Sequence, residues 1–461
     1  MSNINRLFVY FICLVSALGG LLIGYDWVVI GGAKPFYEIY FGITGNPGLQ
    51  GLAMSIALVG CLVGASAAGI LADRIGRRAL LIVAAAIFLI SAWATGAADG
   101  FTTFLIARLA GGVAIGIASG LSPMYIAEVA PAEWRGRLVA LNQLTIVIGI
   151  LSAQIANMFI ADEVASGLTP EALAGSWNVA MGWRHMFWGA AYPAAAFLIL
   201  ALFIPESPRW LIMTGRTAKA TKVLTTIGGP EFAQESERSI TSALDSEKSR
   251  GGLSLLFSRP FRKVLILGVV IAVFQQWCGT NVIFNYAQEI FSAAGYELGD
   301  LFFQIVVTGI TNLVFTIVAM YTVDRLGRRA LMLLGAGGLG GIYLILGACY
   351  LLHVTGPVMV GLVVLAIACY AMSLGPVTWV LLSEIFPDKV RGVAMGVATF
   401  ALWAGSASLT FSFPYLNSFF GAGLTFWTYS AICFAALSFL IRRCPETRGR
   451  SLEQIRERLI G

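Results

Sequence analysis

The sequence predicts an all-α membrane protein of twelve transmembrane helices, arranged as two pseudo-symmetric halves of six. Three observations lead there. The composition is strongly apolar, the apolar residues fall into blocks of membrane-spanning length, and one set of charged motifs occurs twice in the same order.

Of the 461 residues, 58% are hydrophobic and 12% charged. A soluble chain carries about 25% charged residues, so most of this surface must meet lipid or other helices. The apolar residues cluster at 8–30, 50–72, 79–97, 102–127, 137–159, 184–204, 264–291, 301–323, 330–350, 357–383, 393–415 and 421–441. Each block is near or above the roughly 20 residues that cross a bilayer as a helix. Lipid offers no partner to exposed backbone amides, which favours helices, and the short alternating strands of a membrane barrel do not occur. The first block reads as a span rather than a cleaved leader, because it is long, contains Asp26 and lacks a small-residue cleavage site.

The net charge is +6, and its placement carries the information. All lysines and arginines except Lys34, Arg108 and Arg184 fall at the N-terminus, after even-numbered spans or in the C-terminal tail. The positive-inside rule then puts both termini in the cytoplasm, in a multi-pass protein of a plasma membrane, a bacterial inner membrane. The bilayer is the expected partner, and basic loop-end clusters on membrane helices are no nucleic-acid footprint. Cys13, Cys61, Cys278, Cys349, Cys369 and Cys433 lie in apolar spans and only Cys444 outside; no CxxC pair occurs, so inert thiols are expected. Two histidines, His185 and His353, give no metal set. With no nucleophile–base pair and no Gly-rich phosphate loop, neither an enzyme, a cofactor nor direct ATP drive is expected.

The repeat is explicit. Asp73-Arg74-Ile75-Gly76-Arg77-Arg78 after span 2 returns as Asp324-Arg325-Leu326-Gly327-Arg328-Arg329 after span 8. Glu128-Val-Ala-Pro131 with Arg135-Gly136 returns as Glu384-Ile-Phe-Pro387 with Arg391-Gly392. Pro205-Glu206-Ser207-Pro208-Arg209 after span 6 is echoed by Pro445-Glu446-Thr447-Arg448 after span 12. Each pair is separated by a little over half the chain, as two parallel six-span repeats require. The expected division is a bundle over 1–204, a cytoplasmic linker with short helices over 205–262, a second bundle over 263–442 and a tail over 443–461.

At these motifs the chain resembles the sugar porter family of the major facilitator superfamily, over essentially its whole length. The Asp-Arg-x-Gly-Arg-Arg box marks the superfamily. Pro205 to Trp210, Phe274-Gln275-Gln276 with Gly279-x-Asn281, and Pro445-Glu-Thr-x-Gly-Arg450 mark sugar porters. Leu121-Ser-Pro-Met-Tyr-Ile-Ala-Glu128 and Gly375-Pro-Val-x-Trp379 are similar to the bacterial proton-coupled xylose symporters; the facilitative glucose transporters look more distant. The resemblance implies the major facilitator fold and a proton-coupled hexose or pentose symporter working by alternating access, with the proton as coupling ion and a single chain as functional unit. A facilitative sugar uniporter of the same fold, or a transporter-like sugar sensor, are the alternatives.

Asp26 lies deep in span 1, where an acid costs about 2.5–3.5 kcal/mol on insertion scales. Arg108 lies well inside span 4 and needs a counter-charge, and Asp26 is the intramembrane acid available to it. The pair is either a static lock between spans 1 and 4 or a proton switch, and the resemblance implies the switch. The proton-coupling set is Asp26, Arg108 and Glu206.

Gln275, Gln276 and Asn281 share span 7, with Gly279 permitting a break between them. Amides offer both donors and acceptors to sugar hydroxyls, although they also serve as glue between helices. Asn142 and Gln143 on span 5 and Asn312 on span 8 add further amides. The resemblance places Gln143, Gln275, Gln276, Asn281 and Trp403 in the sugar pocket; Asn312 and Trp379 complete the expected site. Asn285, Leu374, Leu402, Ser406 and Ile23 depart from the family pattern. Two polar or aromatic contacts of the second half have become leucine, so a hexose or deoxy-hexose is expected over xylose. Arg77, Arg78, Glu128, Arg135, Arg328, Arg329, Glu384, Arg391 and Glu446 sit at cytoplasmic span ends. They are expected to form a gate of ion pairs across the two halves, in place of a merely solvated basic face.

Overall fold

A computed structural model describes residues 4–162, 170–247, 256–387 and 390–448. The first five spans are α1 (Arg6–Tyr40), α2 (Pro47–Ile75), α3 (Arg77–Gly96), α4 (Phe101–Val129) and α5 (Arg135–Ile160). The sixth is assembled from a π-turn at Asn178–Gly182 followed by α6 (Trp183–Gly189) and α7 (Ala191–Ala201). In the linker, Ser207 caps α8 (Pro208–Met213), which leads to α9 (Thr217–Glu247), bent where Gly229 takes φ 85°.

The second half begins with α10 (Arg259–Trp277), α11 (Thr280–Asn285) and α12 (Ala287–Ala293), then α13 (Leu298–Leu326) and α14 (Arg328–Leu351). The tenth span is α15 (Pro357–Met372) followed by α16 (Leu374–Ile385). The last two share α17 (Arg391–Arg443), divided where Gly421 adopts φ 71° and ψ 171°. Ten continuous stretches of the described residues are long and apolar enough to cross a bilayer. Twelve spans result because α17 holds two of them and the sixth is made of shorter pieces. The tail beyond 448, with Arg450 of the last motif, lies outside the described residues.

The first span outruns the apolar block at 8–30 by a further ten residues. Lys34 and Glu38 interrupt the hydropathy without ending the helix, because both are buried and paired. Arg184, another basic residue off the linker side, is likewise accounted for. Its guanidinium bonds the Gly96 carbonyl at 2.8 Å and Asp99 at 3.0 Å and lies 4.7 Å from the Trp183 ring centroid.

Close helix contact in a membrane needs small residues. Gly24 leaves no room for a Cβ against the Ile146 carbonyl of α5, and Gly112 none against the Ala57 carbonyl of α2. Gly24 lies two residues before Asp26 and Gly112 one turn after Arg108, so the two charged side chains hang from tightly seated backbones.

The seventh span breaks at Gly279, as its sequence predicts. Its φ of 85° is left-handed, and a Cβ there would meet the Tyr429 ring at 2.9 Å. A second break follows at Tyr286, which separates α11 from α12 with φ −122° and ψ 31°. Gly279→Ala should therefore lower stability by about 1–2 kcal/mol from the backbone alone, with more from the ring contact. Thermal unfolding in detergent measures it, and an unchanged midpoint would show that the break does not depend on glycine.

Candidate functional site

Asp26 of α1 and Arg108 of α4 form the ion pair expected of them, Arg Nη1 to Asp Oδ1 at 2.5 Å. Arg108 is 2% exposed and Asp26 5%. The guanidinium carbon also lies 5.3 Å from the Phe187 ring centroid, leaving Arg108 Nε without a partner among the described residues. An apolar ring on one side and a single carboxylate on the other make Asp26 the group on which the arginine depends.

The amides of the seventh span form one donor chain. Asn281 Nδ2 donates to Gln276 Oε1, Gln276 Nε2 to Gln275 Oε1 at 2.5 Å, and Gln275 Nε2 to the Tyr370 hydroxyl at 2.6 Å. Gln275, Gln276 and Asn281 are each at most 5% exposed. The break at Gly279 folds Asn281 back onto Gln276. Asn281 Oδ1 and Asn285 Oδ1, one turn apart on α11, are buried acceptors with no partner among the described residues. Buried polar atoms normally find one, so these two oxygens are left able to accept a further hydrogen bond. Gly405 of α17 brings that helix against Gln276 and Trp277, and Trp403 is half-buried beside it. Gln143 and Trp379 are half-buried, and Asn312 and Asn142 are buried. Leu374 and Leu402 are core residues, 0% and 4% exposed. Two open clefts of about 1030 and 610 Å³ lie instead on the linker helices, lined by residues such as Glu231 and Lys222, away from these amides.

The repeated motifs build one device twice. Arg77 bonds Glu128 at 3.0 Å through Nε and Nη2, and Asp73 at 3.0 Å. Ser207 donates to the same glutamate at 2.5 Å. Glu206 Oε1 accepts the backbone N–H groups of Arg77, Arg78 and Ser207 at 2.8, 3.0 and 2.8 Å. In the second half Arg328 pairs with Glu384 at 3.0 Å, Thr447 donates to Glu384 at 2.6 Å, and Glu446 accepts the N–H groups of Arg328 and Arg329. Glycines of positive φ, Gly76 and Gly327, turn the chain so that each glutamate seats on a helix start. These are anionic caps on α3 and α14, satisfying amides that a helix start leaves unpaired.

Two expectations are refined here. The ion pairs of these motifs lie within each half, and none among the described residues joins the halves at the linker end. Arg135 is exposed, and Arg391 Nε bonds its neighbouring Phe386 carbonyl at 3.1 Å. Glu206 caps α3 and does not meet Asp26 or Arg108.

Sequence reasoning missed three features. Tyr370 completes the amide chain from an apolar span. Gln154 of α5, 1% exposed, reaches Thr308 of α13 in the other half at 3.4 Å. Lys34, Glu38 and Glu289 form a buried charge cluster, so Asp26 is not the sole acid buried along α1.

A family model for sugar (and other) transporters matches residues 12–459. The chain belongs to the sugar transporter family. The arabinose-proton symporter of Bacillus subtilis is 36% identical, over 97% of this chain and 94% of that one. The D-xylose-proton symporter of Escherichia coli K12 is 36% identical, over 98% and 96%. The inward open structure of the E. coli xylose transporter superposes with a TM-score of 0.86 at 34% identity, covering 98% of this chain and all of that one.

Glu446 gives this part of the family motif a pH signature. Partial burial pushes its carboxyl up, but four backbone N–H groups, of Arg448, Arg328, Arg329 and Thr447, outweigh it and hold the group below the usual carboxylate range. A depressed carboxyl adds stability that is present above its unfolded value and lost as pH falls through the folded one. The melting temperature should therefore drop on acidification below about pH 4.3. Glu446→Gln should lose part of that dependence, and a pH profile identical to wild type would deny the cap any ionic character.

Proposed function

We propose that the protein is a proton-coupled monosaccharide symporter, moving a hexose or pentose together with a proton by alternating access. The observation that carries the reading is the buried Asp26–Arg108 pair. A carboxylate whose counter-ion is a single buried arginine can be released by one proton. Protonation removes the attraction that holds α1 to α4, which makes the pairing a two-state element able to bias the whole bundle. The names of the arabinose- and xylose-proton relatives support the same reading.

The linker end is cytoplasmic in this proposal, because the basic loops collect there. The membrane is then the plasma membrane of a bacterium. Sugar enters from outside, and its hydroxyls take up the unpartnered oxygens of Asn281 and Asn285 and replace bonds of the Gln275–Gln276 chain. Gln143 and Asn312 contribute amides from neighbouring spans, and Trp403 and Trp379 supply aromatic walls. Leu374 and Leu402 leave the second-half wall apolar, which favours a hexose or deoxy-hexose over xylose. Arg135 and Arg391 close the cytoplasmic end across the halves in the opposite conformation. The membrane potential supplies about 2.3 kcal/mol per charge per 100 mV, a roughly fortyfold sugar gradient for one proton per sugar. A single chain contains both halves and the entire site, so the functional unit is a monomer.

Gln275→Ala removes a donor and an acceptor from a dry site, and should weaken binding of the preferred sugar by about 1–3 kcal/mol. Equilibrium binding with hexoses and pentoses on both proteins measures this. An unaltered affinity would take Gln275 out of the site, and xylose outcompeting every hexose would remove the role given to the leucines.

The coupling is tested by Asp26→Asn in proteoliposomes under an imposed pH gradient. The amide keeps the shape but cannot ionise. Uphill accumulation should vanish while energy-independent counterflow survives, with some loss of stability because Arg108 loses its counter-charge. Concentration of sugar by the variant would place the proton elsewhere. A wild type that never concentrates sugar, yet exchanges it, is a uniporter.

A further inference from the structure

Part of the seam between the halves follows one face of α1, alongside the packing of α2 on α17 and of α5 on α13. Trp27, Gly31, Lys34 and Glu38 recur at the spacing of successive helical turns. Trp27 lies 6.4 Å from the Phe284 ring centroid of α11. At Gly31 an added Cβ would come within 2.9 Å of the Phe284 carbonyl oxygen. One turn on, Lys34 Nζ pairs with Glu38 Oε1 at 2.9 Å and with Glu289 of α12. Gln50 of α2 donates to Glu38 Oε2 at 2.8 Å, and Lys34 Nζ sits 5.6 Å from the Tyr286 ring centroid. The lysine and Glu38 side chains are 3% and 7% exposed, Glu289 24%.

The geometry points to Lys34, Glu38 and Glu289 as an ion latch that holds the external ends of the halves together while the cytoplasmic side is open. The division of its members between the halves is what makes it a latch. Lys34, Glu38 and Gln50 belong to the first half, Glu289 and Tyr286 to the second. When the external ends part, Lys34 keeps Glu38 and loses Glu289. Burial of an unpaired ammonium, the costly outcome of breaking an internal ion pair, is thereby avoided. Glu289, already a quarter exposed, passes to water. Opening then costs one partly solvated pair and not two buried charges, so the contact is strong enough to bias the closed end and weak enough to break in every cycle.

The linker end carries no equivalent among the described residues, since its ion pairs stay within each half. Lys34 is thus a positioning residue for transport. It touches neither the amide chain nor Asp26, and acts by setting how often the empty carrier opens outward. The inference rests on the alternating-access reading proposed above.

The test uses the full chain with its native cysteines replaced and Thr44→Cys and Leu352→Cys introduced for spin labels. Both residues are exposed at the external ends, Thr44 in the first half and Leu352 in the second. Label-to-label distances report external opening without requiring transport. Glu289→Gln, the milder change because Lys34 retains Glu38, should raise the long-distance population at least about threefold. Lys34→Met should do so as well, the double variant should show no more than the larger single effect, and Lys34→Arg should resemble wild type. Glu289→Gln with wild-type distances, or single effects that add in the double variant, would overturn the latch. Sugar counterflow on the same preparations separates the two readings. Exchange of sugar by wild type alongside unshifted distances in the variants condemns the latch alone, whereas a wild type that exchanges none condemns the transport reading.

Discussion

A charge carried into a helix bundle inside a membrane has no water to answer it, so its partner must be another helix. In this chain that constraint converges on α1. The helix bears Asp26, whose partner Arg108 lies on α4 of the same half, and Lys34, whose partners are Glu38 beside it and Glu289 across the seam. One pair fixes α1 to its own bundle and the other fixes it to the opposite one. The helix is continuous from Arg6 to Tyr40 and seated without slack on α5 at Gly24, so both charged sites share one backbone.

The second half answers this rigid helix with broken ones. Gly279 and Tyr286 cut the seventh span into three, and Ser373, at φ −126° and ψ −91°, cuts the tenth. Interrupted backbone within a membrane is tolerated only where protein or a polar cavity surrounds it. Here the interruption folds Asn281 onto Gln276 and leaves two amide oxygens without a partner among the described residues. A straight helix would set those side chains more than a turn apart along its axis. The amide chain is therefore on the half whose seventh and tenth spans break, and the Asp26–Arg108 pair on the other.

What the sequence made legible was what bulk physics dictates. Twelve apolar blocks imply spans, and two copies of a motif imply two halves. A lone arginine with a lone acid implies a pair, and a glycine among amides implies a break. The misses share a cause, which is that local hydropathy says nothing about a partner far along the chain. Lys34 sits just past the first apolar block and so looks like the polar margin of a span; its meaning depends on Glu289, near the end of the apolar block 264–291. Tyr370 hides in a uniformly apolar tenth span. From the sequence, Glu206 is expected in proton coupling and Glu446 in the gate of ion pairs, yet their carboxylates bond backbone amides of the arginines that follow Gly76 and Gly327. A cap and a salt bridge use the same residue types and differ only in which atoms meet.

The doubled caps bear on how such a bundle can rock without loosening. Each half ties the start of its third helix to its own terminal motif through a carboxylate, and to its own fourth-helix glutamate through an arginine. These contacts involve no residue of the opposite half, so they need not break when the halves tilt. Contacts that do cross the seam are of another kind: close packing of α2 on α17, as at Gly51 against the Phe411 carbonyl, ring pairs at Trp27–Phe284 and Phe36–Phe302, a long Gln154–Thr308 bond, and the Lys34 cluster. Rigid halves with internally satisfied ends, joined by contacts that can be surrendered singly, are the mechanical condition for alternating access. The ionic one among them lies at the end opposite the linker, and the caps keep the linker end of each half in shape.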